Sequence, residues 1–191
     1  MPEAPDAGRP LAGTAACGIM AQKLRVPIGF VIAAAVLYFA TPTVVSIIIG
    51  LPVALLGATF RALAAGVIKK DASLATSGIY AITRNPLYFG SSLLAGGFAV
   101  MSANGIAAAL LLVPFALIYP VVIRREEAHL EELFPDQFRL YKSRVPAFVP
   151  KLTLSFPRSF AFSQYLANRE YNTALGFVAA LTVFAVKYSI R

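Results

Sequence analysis

Two stretches of the chain concentrate side chains able to do chemistry: TSGIYAITRNPLYFG, residues 76–90, and RREEAHLEELFPDQFRLYKSRVPAFVP, residues 124–150. In the first, Arg84 brings a permanently charged, five-donor planar fork suited to a carboxylate, a phosphate or an acidic partner. The same side chain would also snorkel at a membrane boundary. Asn85 and Pro86 have the composition of a helix start, with Asn accepting amide bonds at the cap and Pro at the first helical position. A residue before Pro favours extended backbone, which suits a cap. Tyr80 and Tyr88 offer aromatic faces with a wet hydroxyl, as boundary tyrosines do.

In the second stretch, Glu126 and Glu127 are adjacent acids. Successive helical residues point about 100° apart, so one is expected to face inward and the other to pair with Arg124 or Arg125. Leu130, Leu133, Phe134, Phe138 and Tyr141 recur at the spacing of an amphipathic helix, reset at Pro135, which by itself implies interfacial packing. His129 reads as a polar interface residue rather than a base. No second His or Cys gives ligand spacing, so no metal site is expected. Cys17 is the lone cysteine and can form no intramolecular disulfide.

The elements that must position these residues are set by the solvent. Apolar residues make up 58% of the 191 and charged residues 14%, with mean hydropathy +0.71, values of a polytopic membrane protein forming one domain. The net charge of +8 is spread over membrane-flanking segments, Trp is absent and no RNA-binding or zinc-finger spacing occurs. Anionic headgroups therefore fit as partners and nucleic acid does not.

Five hydrophobic passages are expected as helices: 26–40, a second within 44–66, a short third over 86–103, a fourth over 106–123 and a fifth over 171–188. Gly90, Gly96 and Gly97, with Ser91, Ser92 and Ala95, give the third passage a small-residue face for a close neighbour. Only residues 102–105 separate it from the fourth, predicting an antiparallel hairpin. Pro52, Pro114 and Pro120 each mark a candidate kink. Val26 onward reads as a retained anchor rather than a processed leader.

Lys and Arg at 9, 23, 25, 61, 69, 70 and 84, and again across 124–169, all fall on one side of such a bundle. The rule that positive loops stay inside then puts the N-terminus in the cytoplasm and the C-terminus outside, in a membrane of bacterial inner-membrane type. Both polar blocks share the cytosolic face, where they are expected to form one site.

The two blocks together resemble the isoprenylcysteine carboxyl methyltransferase and phospholipid methyltransferase group of integral-membrane enzymes over about residues 74–150. The first family motif falls on Gly78, Tyr80, Arg84, Asn85, Pro86, Tyr88 and Gly90, with Asn85 standing where His is usual. The second falls on Glu126, Glu127, Leu130, Phe134, Phe138, Tyr141, Arg144, Val145, Pro146 and Pro150. Pro135 replaces a usual Gly, and Ala147 stands where Arg often follows.

The resemblance implies an all-α membrane fold of about five spanning helices with a cytosolic pocket for S-adenosylmethionine. It also implies methyl transfer to a lipid or isoprenoid-linked acceptor. Arg84, Glu127 and Arg144 are then the expected catalytic residues. Tyr80, Asn85, Pro86, Tyr88, Glu126, Glu127 and Tyr141 are the expected cofactor-binding ones. For a sulfonium donor the two glutamates supply negative potential or take the amino group, while positioning and preorganised charge provide acceleration. A lipid amine and a carboxylate both remain open as acceptor, because either Arg84 or Arg144 could hold a carboxylate and a glutamate could assist an amine.

A noncatalytic lipid-binding relative and a membrane isoprenoid or sterol reductase are the alternatives. The segment 152–170 reads as an interfacial lid over a lipid entrance or as a plain surface linker. Oligomeric state is not legible.

Overall fold

The computed structural model describes residues 29, 31–69, 73–151 and 160–190. The basic residues of the N-terminal tail, Cys17, Lys70 and residues 152–159 of the segment expected as a lid or a linker lie outside them. Every regular element among the described residues is helical. Helix α1 covers residues 31–39. It is followed by α2 (Val44–Ala65), a 3-10 turn (Gly78–Ala81), α3 (Pro86–Ser102), α4 (Gly105–Leu133), α5 (Pro135–Arg144), α6 (Phe162–Ala167) and α7 (Tyr171–Ser189).

Helices α2, α4 and α7 are long and apolar enough to cross a membrane. Only 17%, 6% and 11% of their most apolar windows are buried inside the protein, so most of their apolar side chains face outward. In water that surface would be an aggregation liability, whereas lipid tails solvate it. Of the five expected passages, three therefore stand on length and composition. Helix α3, with 17 residues, is about 26 Å long, short of the ~30 Å hydrocarbon layer. The first passage is represented by the short α1.

Local chemistry sets the ends of these helices. Thr43 caps α2 through a capping box with Ser46, the Ser46 amide lying 3.1 Å from Thr43 Oγ1. Ala103 turns left-handed (φ 46°) to end α3, and Asn104 Oδ1 then accepts the amides of Ile106 and Ala107 to start α4. The expected hairpin is thereby closed in two residues. Helix α4 continues past Ile123 as one element carrying Arg124 to Leu133, longer than the apolar run suggests, because Arg, Glu, Ala and Leu are good helix formers.

Helices α2 and α3 meet backbone to backbone. A Cβ added to Gly57 would lie 2.5 Å from the Gly90 carbonyl oxygen, and one on Gly97 would lie 2.5 Å from Ala54 N. Close approach thus requires glycine there, as expected for Gly90 and Gly97. Gly96 departs from that expectation, since it faces open space. At the far end, Ala40, Ala54, Phe98, Met101, Phe177 and Phe184 form a core joining α2, α3 and α7 to the residues after α1. Lys187 lies in the last turn of α7. Its Nζ donates to the carbonyls of Leu37, Tyr38 and Ala40, the last two at 2.6 Å, and so ties off the end of α1.

Candidate functional site

The first polar block folds around a residue that only glycine suits: Gly78 has φ 60°, which lets the chain reverse into the 3-10 turn. Ile79, Tyr80 and Ile82 then pack on Ala64 and Phe60 of α2. The second block docks on this turn mainly through backbone. Arg84 N donates to Pro146 O (2.9 Å), Lys151 N to Ile82 O (3.0 Å) and Tyr141 Oη to Tyr80 O (2.6 Å). Thr83, fully buried, donates to Phe148 O at 2.9 Å. These bonds bring two segments some sixty residues apart into one structure, as the shared-site reading expected.

Charge completes the joint. Arg84 Nε lies 3.1 Å from Glu127 Oε1, the two side chains being 9% and 15% exposed. The pair is held by proximity of charge, because that N–H is not aimed along a hydrogen bond. Arg84 Nη1 reaches Lys142 O at 3.3 Å. Asn85 Nδ2 donates to the same Glu127 oxygen at 3.3 Å and to Ala147 O at 2.9 Å.

Asn85 thus occupies the cap position of α3, with Pro86 buried at the first helical position, but its side chain makes no capping bond and its ψ of 56° is not extended. The amide instead turns outward to satisfy the second block. The glutamates also differ from expectation. Glu126 accepts the Tyr88 hydroxyl at 2.5 Å while Glu127 takes Arg84 and Asn85, so both face the same cavity, and Arg124 Nε donates to Pro120 O instead.

That cavity has a volume of about 760 Å³. Of the expected residues it is lined by Tyr80, Arg84, Asn85, Tyr88, Glu126, Glu127 and Tyr141. Pro86 is absent from the lining and is buried at the first position of α3. Arg144 is exposed at the end of α5, outside the lining, with its carbonyl accepting Lys151 Nζ at 2.9 Å. His129 does line the cavity, and among the further residues there that the sequence does not assign to the site are Arg61, Tyr119, Asn168 and Glu170. Of these, only Arg61 had a signal, being an ionisable residue inside an apolar passage.

The tyrosines are tuned by burial. Tyr80 Oη is buried with no hydrogen-bond partner among the described residues. Burial, then the neighbouring Tyr141, Glu126 and Tyr88, pushes its phenol well above the usual range. Burial likewise raises Tyr141, opposed by Arg84 and reinforced by Glu127. Both remain neutral hydroxyls at physiological pH.

An apolar groove of about 460 Å³ lies alongside, between α3 and α4, with Leu112, Phe115, Ile123 and Phe148 in its lining. Tyr119 belongs to both walls and stacks edge-on to Tyr88 at 4.9 Å between ring centres, so groove and cavity share a boundary. Among the described residues no group of three His, Cys, Asp or Glu side chains could hold a metal ion.

The family model described as phospholipid methyltransferase matches residues 28–137, more than half of the chain. The chain is 42% identical over 86 residues to the cobalt-zinc-cadmium resistance protein CzcN of Cupriavidus metallidurans, covering 45% of this chain and 39% of that protein. It is 41% identical over 86 residues to the nickel-cobalt-cadmium resistance protein NccN of Alcaligenes xylosoxydans xylosoxydans, covering 45% and 40%. It is also 32% identical over 94 residues to the protein-S-isoprenylcysteine O-methyltransferase of Schizosaccharomyces pombe, covering 49% and 40%. The matched stretch thus spans about two fifths of each relative's length. No solved structure matches the chain.

Proposed function

The chain belongs to the phospholipid methyltransferase family of membrane methyltransferases, and from that premise we propose that it transfers a methyl group from S-adenosylmethionine to a lipid or isoprenoid-linked acceptor at the cytosolic face of a bacterial inner membrane. The observation that carries this reading is the convergence of Arg84, Asn85 and Glu127, with Tyr88 and Glu126 beside them, on one cavity at the end of the helices.

The cavity fits such a donor. Its volume is that of a small-molecule site. Glu126 and Glu127 provide negative potential for a sulfonium and an amino group, the Tyr88 and Tyr119 rings offer stacking faces, and the unpartnered Tyr80 hydroxyl is a donor without an acceptor. When bound, S-adenosylmethionine supplies an electrophilic methyl group on sulfur.

The chain's own part is positional. Arg84 and Asn85 fix the Glu127 carboxylate from one side, and Tyr88 fixes Glu126 from the other, so negative charge is oriented before any ligand arrives. The groove between α3 and α4 receives the acceptor's hydrocarbon part from the lipid and delivers its polar head past Tyr119. Glu126, partly open to water, can take the proton of an amine acceptor, whereas a carboxylate acceptor needs no base.

The test is incubation of the purified, membrane-reconstituted protein with methyl-labelled S-adenosylmethionine and native membrane lipids, followed by untargeted mass spectrometry. A labelled lipid is the expected product. Absence of both labelled product and donor binding in folded protein would remove the reading, and lipid-dependent oxidation of reduced nicotinamide would replace it with a reductase.

A further inference from the structure

One wall of the cavity is built by a part of the chain beyond the matched stretch 28–137. After α6 the chain turns sharply at Arg169, which is left-handed with φ 54°, and enters α7 at Glu170. This elbow is fastened to the end of α2 by three contacts. Ala161 N donates to Gly66 O at 2.8 Å, and Asn168 Nδ2 donates to the carbonyls of Ala65 and Ile68 at 2.7 and 3.0 Å. The third is a two-pronged ion pair, with Arg61 Nε 2.7 Å from Glu170 Oε1 and Arg61 Nη2 3.0 Å from Oε2.

The same guanidinium also donates to Thr173 Oγ1 of α7 at 3.0 Å and to Ser91 Oγ of α3. Ser91 in turn donates to Leu87 O at 2.8 Å, one turn from the Asn85 and Tyr88 wall. Arg61, Ser91, Asn168 and Glu170 all line the cavity. An apolar contact would join three helices without removing two charges from water. The forked pair adds what an apolar contact lacks, a fixed direction as well as a fixed distance. It does so where the wall faces a polar space, with side chains 23% and 9% exposed.

We propose that Arg61 and Glu170 are positioning residues: their ion pair is a clasp that holds the α6–α7 elbow as the closing wall of the cavity and couples it, through Ser91, to the Asn85–Tyr88 wall. Releasing the clasp opens that end of the cavity while the rest of the bundle stays packed.

The experiment uses full-length protein in lipid nanodiscs with Cys17→Ser and one reporter cysteine, either Ala75→Cys on the cavity wall or Ser102→Cys in the buried far end. The rate of labelling by a water-soluble maleimide is measured. With Glu170→Gln, labelling at position 75 is expected to quicken about tenfold while that at 102 is unchanged, the signature of local rather than global opening. The swapped pair Arg61→Glu with Glu170→Arg is expected to return it to within about twofold of the parent. Thr173→Val, which removes one contact of the clasp, gives a smaller change in the same direction and serves if Glu170→Gln does not fold.

An unchanged rate at 75 overturns the proposal, as does an equal rise at 102 or a swapped pair no slower than Glu170→Gln. S-adenosylhomocysteine affinity, measured on the same variants, is expected to weaken with the clasp open. Failure of the parent protein to bind that ligand at all would count against methyl transfer and leave the labelling result standing.

Discussion

Asn85 Nδ2 and Glu127 Oε1 stand 3.3 Å apart across 42 positions of sequence, and the same carboxylate oxygen is 3.1 Å from Arg84 Nε. One acidic side chain on α4 thus receives both polar residues of the turn that starts α3. Replacing Glu127 by Gln keeps the shape and removes the charge. The expected result is S-adenosylmethionine binding weakened about 10- to 100-fold, the value of a charge-assisted contact, by calorimetry on protein with wild-type helicity. Arg84→Ala is expected to act in the same direction, since it frees the carboxylate to wander.

Arg144 provides the contrast. Because it lies outside the cavity lining, Arg144→Ala is expected to leave donor affinity within about twofold, the scale of an exposed charge away from a site. A loss comparable to that of Arg84→Ala would mean that α5 moves onto the cavity when ligand binds.

The α2–α3 contact predicts opposite outcomes for two glycines of one helix. Gly90→Ala would put a Cβ 2.7 Å from the Gly57 carbonyl oxygen and is expected to destabilise by about 1–3 kcal/mol. Gly96→Ala meets nothing and is expected to be neutral or to stabilise by up to about 1 kcal/mol through helix propensity. Thermal unfolding in detergent, followed by the loss of helical circular dichroism, separates them.

High pH should loosen the joint between the two polar blocks. Tyr80 and Tyr141 are held neutral in the folded protein and would ionise near pH 10 in the unfolded chain. Their contribution is therefore complete below about pH 10 and is lost as pH rises above it. Tyr141→Phe costs about 1 kcal/mol by losing the bond to Tyr80 O. Tyr80→Phe removes an unpartnered hydroxyl and should cost less, while flattening the alkaline decline. Unfolding profiles between pH 7 and 11 check both signs.

Lys187→Met should free three carbonyls at the end of α1. The expected cost is about 1.5–3 kcal/mol, typical of hydrogen bonds from a charged group. Hydrogen exchange should rise selectively at residues 36–41, with the cavity end unaffected.

Much of the site was legible because its cues are local. Gly78 and Gly90 announce backbone constraints, Asn-Pro marks a helix start, and adjacent glutamates follow the apolar run of α4 on the same helix. What escaped was the destination of side chains. Asn85 has the type and position of a cap, yet the acceptors that claim its amide, Glu127 and the Ala147 carbonyl, arrive from 42 and 62 residues away. Arg61 and Glu170 are separated by 109 residues, and no periodicity in either segment points to the other. Composition alone groups Gly96 with Gly97, although neighbours on a helix face different ways.

The 29 unbroken residues of α4 make it about 44 Å long, roughly 14 Å more than the ~30 Å hydrocarbon layer. Glu126 and Glu127 therefore ride on the same rod that is anchored among the acyl chains, and the lipids set their altitude. A thicker bilayer draws that rod inward or uprights it, and a thinner one tilts it. Acyl-chain length thus becomes a dial on how far the carboxylates stand from the headgroup layer.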